Sequence, residues 1–256
     1  QFANPADRFP KNFKSRMDIG LRTRGENQVW ETDTTDVYFE FDFAYGDPFF
    51  GDLGKPFDSF DFQLQLNFGD KTSLGRLEGA GNLAGMFLKE TEEASHILSA
   101  YHRFDYVNTN AVEFGGQSIT AGLHSRFETA AGLEMRTEVH LGPMILGGSS
   151  SDYASVSGRS YDYGPGATAR FAASFGARGW EFFKASHEQF FIHSVGGNDV
   201  DHHLSVSRLR MSVPVRFNIG LAGEYVLYLA EREYADFPDV SARNPQVKLS
   251  VSWILN

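Results

Sequence analysis

Val37-Tyr38-Phe39-Glu40-Phe41-Asp42-Phe43-Ala44-Tyr45 puts Val, Phe, Phe, Phe and Tyr on one side of an extended chain and Tyr, Glu, Asp and Ala on the other. A side-chain repeat of two marks a β-strand, because successive Cβ atoms point to opposite faces. Phe60-Asp61-Phe62-Gln63-Leu64-Gln65-Leu66-Asn67-Phe68 repeats the pattern. So do Leu133 to Leu141, Ala167 to Phe175, Leu209 to Phe217, Ile219 to Leu229 and Val247 to Trp253. Several of these segments hold their phase for at least the roughly nine to eleven residues that a tilted strand needs to cross a bilayer, whereas globular strands centre on about five or six. About twelve such segments are expected, near 13–23, 35–45, 58–68, 74–88, 96–107, 111–127, 132–146, 161–176, 179–193, 203–217, 219–233 and 246–254. An even count suits a closed, up-and-down antiparallel barrel with both termini on one side, which is the periplasmic side in an outer-membrane barrel.

The connections support closure. In the second half, short turns (Thr129 to Gly132, Gly176 to Gly179, Asn218) alternate with long links (Gly147 to Ser160, Val195 to Asp201, Ala235 to Pro245). Gly46 to Pro56 breaks the rhythm, being too long for a turn on the short-turn side, so strand assignments in that half are open to a slip of one. Three further places resist. Thr91 to Phe104 also carries apolar residues at helical spacing. The apolar face changes parity between Phe114 and Ala121, which a bulge at Gly115-Gly116 would absorb. Lys184 and Glu188 share a face with Trp180, Phe182, Phe190 and Ile192.

Composition narrows the rest. The 256 residues carry 23 basic and 33 acidic side chains, a formal net charge of -10, which argues against nucleic acid as a partner. There is no Cys, hence no disulfide, thiolate nucleophile or Cys-ligated metal. No apolar run approaches the roughly 18 to 20 residues of a spanning helix. Residues 1–256 read as one barrel domain. Gln1-Phe2-Ala3-Asn4-Pro5 lacks the basic and apolar regions of a secretion signal, so the chain reads as a processed protein or a fragment, with 1–12 a candidate periplasmic extension.

The polar faces mix small residues with both signs of charge. This suits a crowded lumen better than the water-facing side of a sandwich, although a soluble lectin-like or jelly-roll domain is the competing architecture. Candidate lumen-lining residues are Glu40, Asp42, Asp61, Arg76, Glu78, Arg103, Arg136, Glu138, Arg170, Arg208, Arg210 and Glu224. Tyr45, Tyr106, Tyr163, Trp180 and Trp253 lie near strand ends and are candidates for interfacial aromatic girdles.

Asn244-Pro245-Gln246-Val247-Lys248-Leu249-Ser250-Val251-Ser252-Trp253 resembles the C-terminal targeting strand of bacterial outer-membrane barrels, except that Ile254-Leu255-Asn256 follow the aromatic. Glu113-Phe114-Gly115-Gly116-Gln117-Ser118, Tyr161-Asp162-Tyr163-Gly164-Pro165-Gly166 and Asp236-Phe237-Pro238-Asp239-Val240 are similar to an uncharacterised family of Gram-negative outer-membrane proteins, over roughly residue 55 to the end. That resemblance implies an outer-membrane barrel and brings no catalytic residues with it.

Chemistry is sparse. Arg208, Arg210 and Arg216, with Arg136 and Arg170, form a stripe able to attract anions or lipid A phosphates. Glu134, Glu138 and Glu224 on adjacent strands would neutralise it as a wall of salt bridges. His187 and His193 share a face and with His140 form the one candidate metal grouping, while His202-His203 sit at a loop and cannot both point inward; no metal site or cofactor is expected. His124 and Ser125 are neighbours on a strand and point apart, which forbids their pairing as base and nucleophile. Asp33, Asp36, Asp199, Asp201, Glu231, Glu233, Asp236 and Asp239 sit at or near outer loops; they read first as a solvated loop surface, with recruitment of divalent cations beside lipopolysaccharide as the alternative. Expected partners are outer-membrane lipids and lipopolysaccharide, with an envelope protein as a further one. The leading functional expectation is a narrow passive pore for small polar solutes. A closed scaffold barrel and a lipid-modifying enzyme are the alternatives.

Overall fold

A computed structural model describes residues 13–26, 29–49, 55–69, 72–91, 93–108, 113–150, 161–177, 180–196, 200–216, 218–234 and 239–255. The expected extension at 1–12, and the loop carboxylates Asp199 and Asp236, lie outside them. Twelve strands follow in order: β1 (Phe13–Glu26), β2 (Val29–Tyr45), β3 (Phe60–Phe68), β4 (Thr72–Glu90), β5 (Ala94–Asn108), β6 (Glu113–Glu128), β7 (Leu133–Ser150), β8 (Tyr161–Ala177), β9 (Trp180–His193), β10 (Val200–Arg216), β11 (Ile219–Tyr234) and β12 (Val240–Leu255). Each pairs antiparallel with its sequence neighbours, and β1 pairs with β12 from Ser15 opposite Leu255 to Arg24 opposite Gln246, so the sheet closes into a barrel. Closure leaves no free edge strand, and each strand pairs with a neighbour on both sides. The start of β1 and the end of β12 share one end of the barrel, called here the terminus end; the opposite one is the loop end.

The tight turns obey local rules. At the β6–β7 turn, Gly132 adopts a φ of +75°, and its amide donates to the Thr129 carbonyl. A residue with no Cβ holds that left-handed conformation at little cost. The turn fixes the hairpin register, with Glu128 opposite Glu134 and His124 opposite Glu138.

The three difficult places resolve physically. Residues from Ala94 onward are strand, paired on both sides, so the helical spacing there is incidental. Between Phe114 and Ala121 the pairing with β5 is unbroken, while the pairing with β7 shifts between Gln117 and Ser118; Phe114 faces the lumen, and the parity change reflects an apolar residue pointing inward. On β9, Lys184, Glu188, Phe190 and Ile192 all alternate onto the lumen side, where polar and apolar residues coexist. The Gly46–Pro56 link is at the terminus end, as its position in the order requires, and the strand count does not slip. Part of it turns inward: Phe49 is buried beside Ile97, and the Arg136 guanidinium stands 5.5 Å above its ring.

The outer face is apolar and bare. Leu249, Leu141, Met211, Val213 and Leu221 are each more than half exposed, and similar residues ring the barrel. Leu249→Arg is therefore expected to destabilise the barrel in lipid vesicles by about 2–4 kcal/mol, the cost of a cation on a lipid-facing site near mid-depth. Urea unfolding followed by tryptophan fluorescence measures it, and a change within about 0.5 kcal/mol, as on a watery surface, would contradict this reading of the outer face.

Candidate functional site: the charged lumen

Alternation carries the polar side chains inward, where they form three zones along the axis. In the terminus half lies a chamber of about 380 Å³. Its wall includes Arg16, Asp42, Asp61, Glu78, Arg103, Arg136, Glu138, Arg170 and Lys184. Lys14, whose side chain is 57% exposed, stands at the rim. Asp47 reaches in from the β2–β3 link and pairs with Arg136 at 2.8 Å, so this segment narrows the mouth.

Across the middle, side chains from opposite walls meet. Arg76 on β4 donates to Glu188 on β9 at 2.6 Å and also pairs with Glu78. Arg208 on β10 reaches Gln63 on β3 at 2.7 Å and Glu224 at 2.8 Å. Arg210 binds Asp18 on β1 at 2.6 Å. Lys248, 1% exposed, lies between Glu40 at 3.0 Å, Glu224 at 2.9 Å and the Gln65 side-chain Oε1 at 2.7 Å. Arg16 joins this lattice through Asp42 and Glu40. Charges removed from water in this way are tolerated only when each is matched. Here acid and base alternate across the bore.

Toward the loop end the lumen turns apolar on one side. Val107, Phe114, Met144, Phe190, Ile192, Leu204, Val206, Val226 and Tyr228 cluster there, none more than 5% exposed. Tyr38, Gln65, Asn67, Asn244, Gln246 and the Arg22–Asp36 pair, all buried, fill the strands opposite. Beyond the cluster, Ser149, His202, Arg232 and Asp162 form a buried polar cap. The Ser149 hydroxyl lies 2.5 Å from His202 Nδ1, and His202 Nε2 lies 3.5 Å from Asp162. Arg232 donates to the Ser149 carbonyl and hydroxyl and to His202 Nδ1. Serine, imidazole and carboxylate in sequence suggest a hydrolase, but all are sealed from solvent and braced by a guanidinium, so the group ties strands together.

All twelve candidate lumen residues point into the bore, and the structure gathers them into two groups. Asp42, Asp61, Glu78, Arg103, Arg136, Glu138 and Arg170 line the chamber; Glu40, Arg76, Arg208, Arg210 and Glu224 belong to the lattice. Arg216 leaves the arginine stripe, because a register shift between Pro214 and Arg216 places it opposite Ile219. Among the aromatics, Tyr45 and Tyr163 are exposed and Tyr106 and Trp253 half-buried. Trp180 differs: it is buried, with its ring packed on Gly220, a position where any Cβ would collide with it. His187 and His193 do not approach His140; they face outward, bonded to Ser207 and Asp201. The group that periodicity missed is His124, Glu138 and His140 on the lumen face of β6 and β7. The short Thr129–Gly132 turn carried the signal, since a hairpin folded there sets position 124 opposite 138.

No protein-family model matches the chain, and no curated protein matches it. Solved structures that match over most of the chain include channels and porins, at low TM-scores. The CymD monoaromatic hydrocarbon channel shares 10% identity at a TM-score of 0.34, covering 98% of this chain and 91% of its own. The NanC porin shares 10% identity at 0.37, with 91% and 98% covered. The Pseudomonas putida toluene transporter TodX shares 9% identity at 0.33, with 99% and 92% covered. Identity of this order carries no residue-level inference.

Removing one partner from the lattice isolates its counter-charges. Lys248→Met is expected to cost about 3–5 kcal/mol, because Glu40 and Glu224 keep their burial and lose a shared cation. Equilibrium unfolding in detergent reads this, and a loss below about 1 kcal/mol would mean that water reaches the bore at this level.

Proposed function

We propose that the chain is an integral barrel of the bacterial outer membrane, with its terminus end in the periplasm and its outer face against lipid and lipopolysaccharide. In this reading it is a channel for small polar solutes that is closed at rest. Supporting the membrane assignment is the outer face itself: a band of exposed Leu, Val, Ile, Met and Phe on every strand is expensive in water and favourable in acyl chains. The observation that carries the channel reading is the chamber. A barrel serving only as a scaffold has no need of a charged cavity of about 380 Å³ beneath a filled bore. Between that cavity and the loop end, the apolar cluster forms the kind of constriction that gates by excluding water.

A scaffold barrel that partners another envelope protein is the second reading. It is favoured by the bonds that cross the bore from β4 to β9 and from β10 to β3. Planar-bilayer recordings separate the two. Wild-type protein is expected to give rare, short openings. Phe190→Ala with Val206→Ser, which thin and wet the constriction, should raise the open fraction at least tenfold. Silence from this variant, in protein whose unboiled form still migrates faster than the boiled form on a detergent gel, would overturn the channel and leave the scaffold.

A further inference from the structure

The lumen face of the β6–β7 hairpin brings two imidazoles and a carboxylate to one point. His124 and Glu138 are directly opposite across the strands, and His140 lies opposite Gly122. A Cβ at Gly122 would fall 2.5 Å from the His140 ring, so the imidazole lies flat over the glycine and is drawn toward His124. Glu138 Oε2 is 3.7 Å from His124 Nδ1 and 3.9 Å from His140 Nε2. The two rings meet edge to face with centroids 4.7 Å apart, and Tyr101 packs on both. Both histidines are more than nine-tenths buried, and His140 Nε2, the ring nitrogen turned toward Glu138, has no hydrogen-bond partner among the described residues. An unpartnered buried imidazole nitrogen facing a carboxylate and a second imidazole leaves a lone pair free for a ligand at their meeting point.

We propose that His124, Glu138 and His140 bind a divalent late-transition metal, with Zn²⁺ the best match, leaving a coordination position open to the lumen chamber. Two imidazole nitrogens and one carboxylate oxygen are a donor set for Zn, Co, Ni or Cu, whereas Mg and Ca take oxygen alone. Tetrahedral bonds of about 2.0–2.2 Å put ligand atoms roughly 3.3–3.5 Å apart; the two separations to Glu138 are within a few tenths of an ångström of that, and all three ligand atoms lie within 4.8 Å of one another. The surroundings fit as well. Thr120 Oγ1 lies 3.4 Å from His140 Nδ1 and orients the ring, leaving Nε2 to face Glu138.

The local cations do not forbid it. Arg170 pairs with the other carboxylate oxygen of Glu138 at 3.2 Å, leaving Oε2 turned toward the rings, and it is also met by Glu188 and Glu78. Arg103 is paired with Asp105. Asp61 borders the same chamber. All three ligands line the chamber, so an ion enters from the terminus end and its open position faces whatever the chamber holds. Three protein ligands with a vacant fourth place are the arrangement of reactive zinc sites rather than structural ones.

The test needs neither conduction nor membranes and so stands apart from the channel reading. The whole barrel is refolded in detergent, stripped with chelator, titrated with Zn²⁺ by calorimetry and its metal content measured after desalting. One Zn²⁺ per chain is expected. His124→Gln and His140→Gln should each raise the Kd beyond the roughly 10–100-fold typical of outer-shell partners. His187→Gln, which alters an outward-facing imidazole, should bind like wild type. Substituted Co²⁺ should show the visible absorption of a four- or five-coordinate site, lost in both ligand variants. Faster migration of unboiled protein on detergent gels certifies that each variant is folded. Absence of retained Zn²⁺ in folded wild type, or unchanged affinity in the His124 and His140 variants, would overturn the proposal.

Discussion

Closure of β1 onto β12 is the constraint from which the rest follows. Once the sheet has no edge, hydrogen bonding along every strand is complete, and side chains are sorted by parity alone into an outer and an inner population. The outer population is predominantly apolar, interrupted by a few hydrogen-bonded polar groups such as His187, Gln189 and Ser207. The inner one must pack against itself in a bore too narrow for bulk water at mid-depth, and this drives the acid–base alternation around Lys248, Arg208, Arg210 and Arg76. A shift of one residue at the closing seam would exchange the two populations. Leu249 would enter among carboxylates and Lys248 would face outward.

The bore is not uniform, and the differences along it matter for function. A lattice of ion pairs, an apolar cluster and a polar cap follow one another toward the loop end, while the terminus half is left hollow. Filling is thus concentrated where passage would be controlled. The β2–β3 link adds to this by folding Phe49 and Asp47 into the mouth of the hollow half, where Asp47 meets Arg136. The chamber is thereby a bounded compartment with its own chemistry, and the two histidines of the β6–β7 hairpin belong to its wall.

Most of the architecture was legible because parity is a local property. Val37 to Tyr45, or Leu133 to Leu141, states its strand character and its two faces without reference to any other segment. Wherever the inner face turned apolar, that reading faltered: Phe114, Phe190 and Ile192 looked like errors of phase because an inward residue was assumed to be polar. Register is a pairwise property and was harder to read. His124 and Glu138 are fourteen positions apart, and only the position of the Thr129–Gly132 turn tells that they face each other. His140 was instead grouped with His187 and His193, which stand on the opposite side of the wall. Trp180 shows a third limit, since a place near a strand end does not say whether the ring turns out or in.

In the proposed outer-membrane setting, one parity of every strand meets acyl chains and the other meets the bore. The chain contains no cysteine, so single cysteines can be placed at will and labelled with an environment-sensitive fluorophore. In vesicles containing brominated lipid, labels at 247, 249 and 251 of β12 should be strongly quenched, and labels at 246, 250 and 252 should be spared. Equal quenching at both sets, or none at either, would contradict the account.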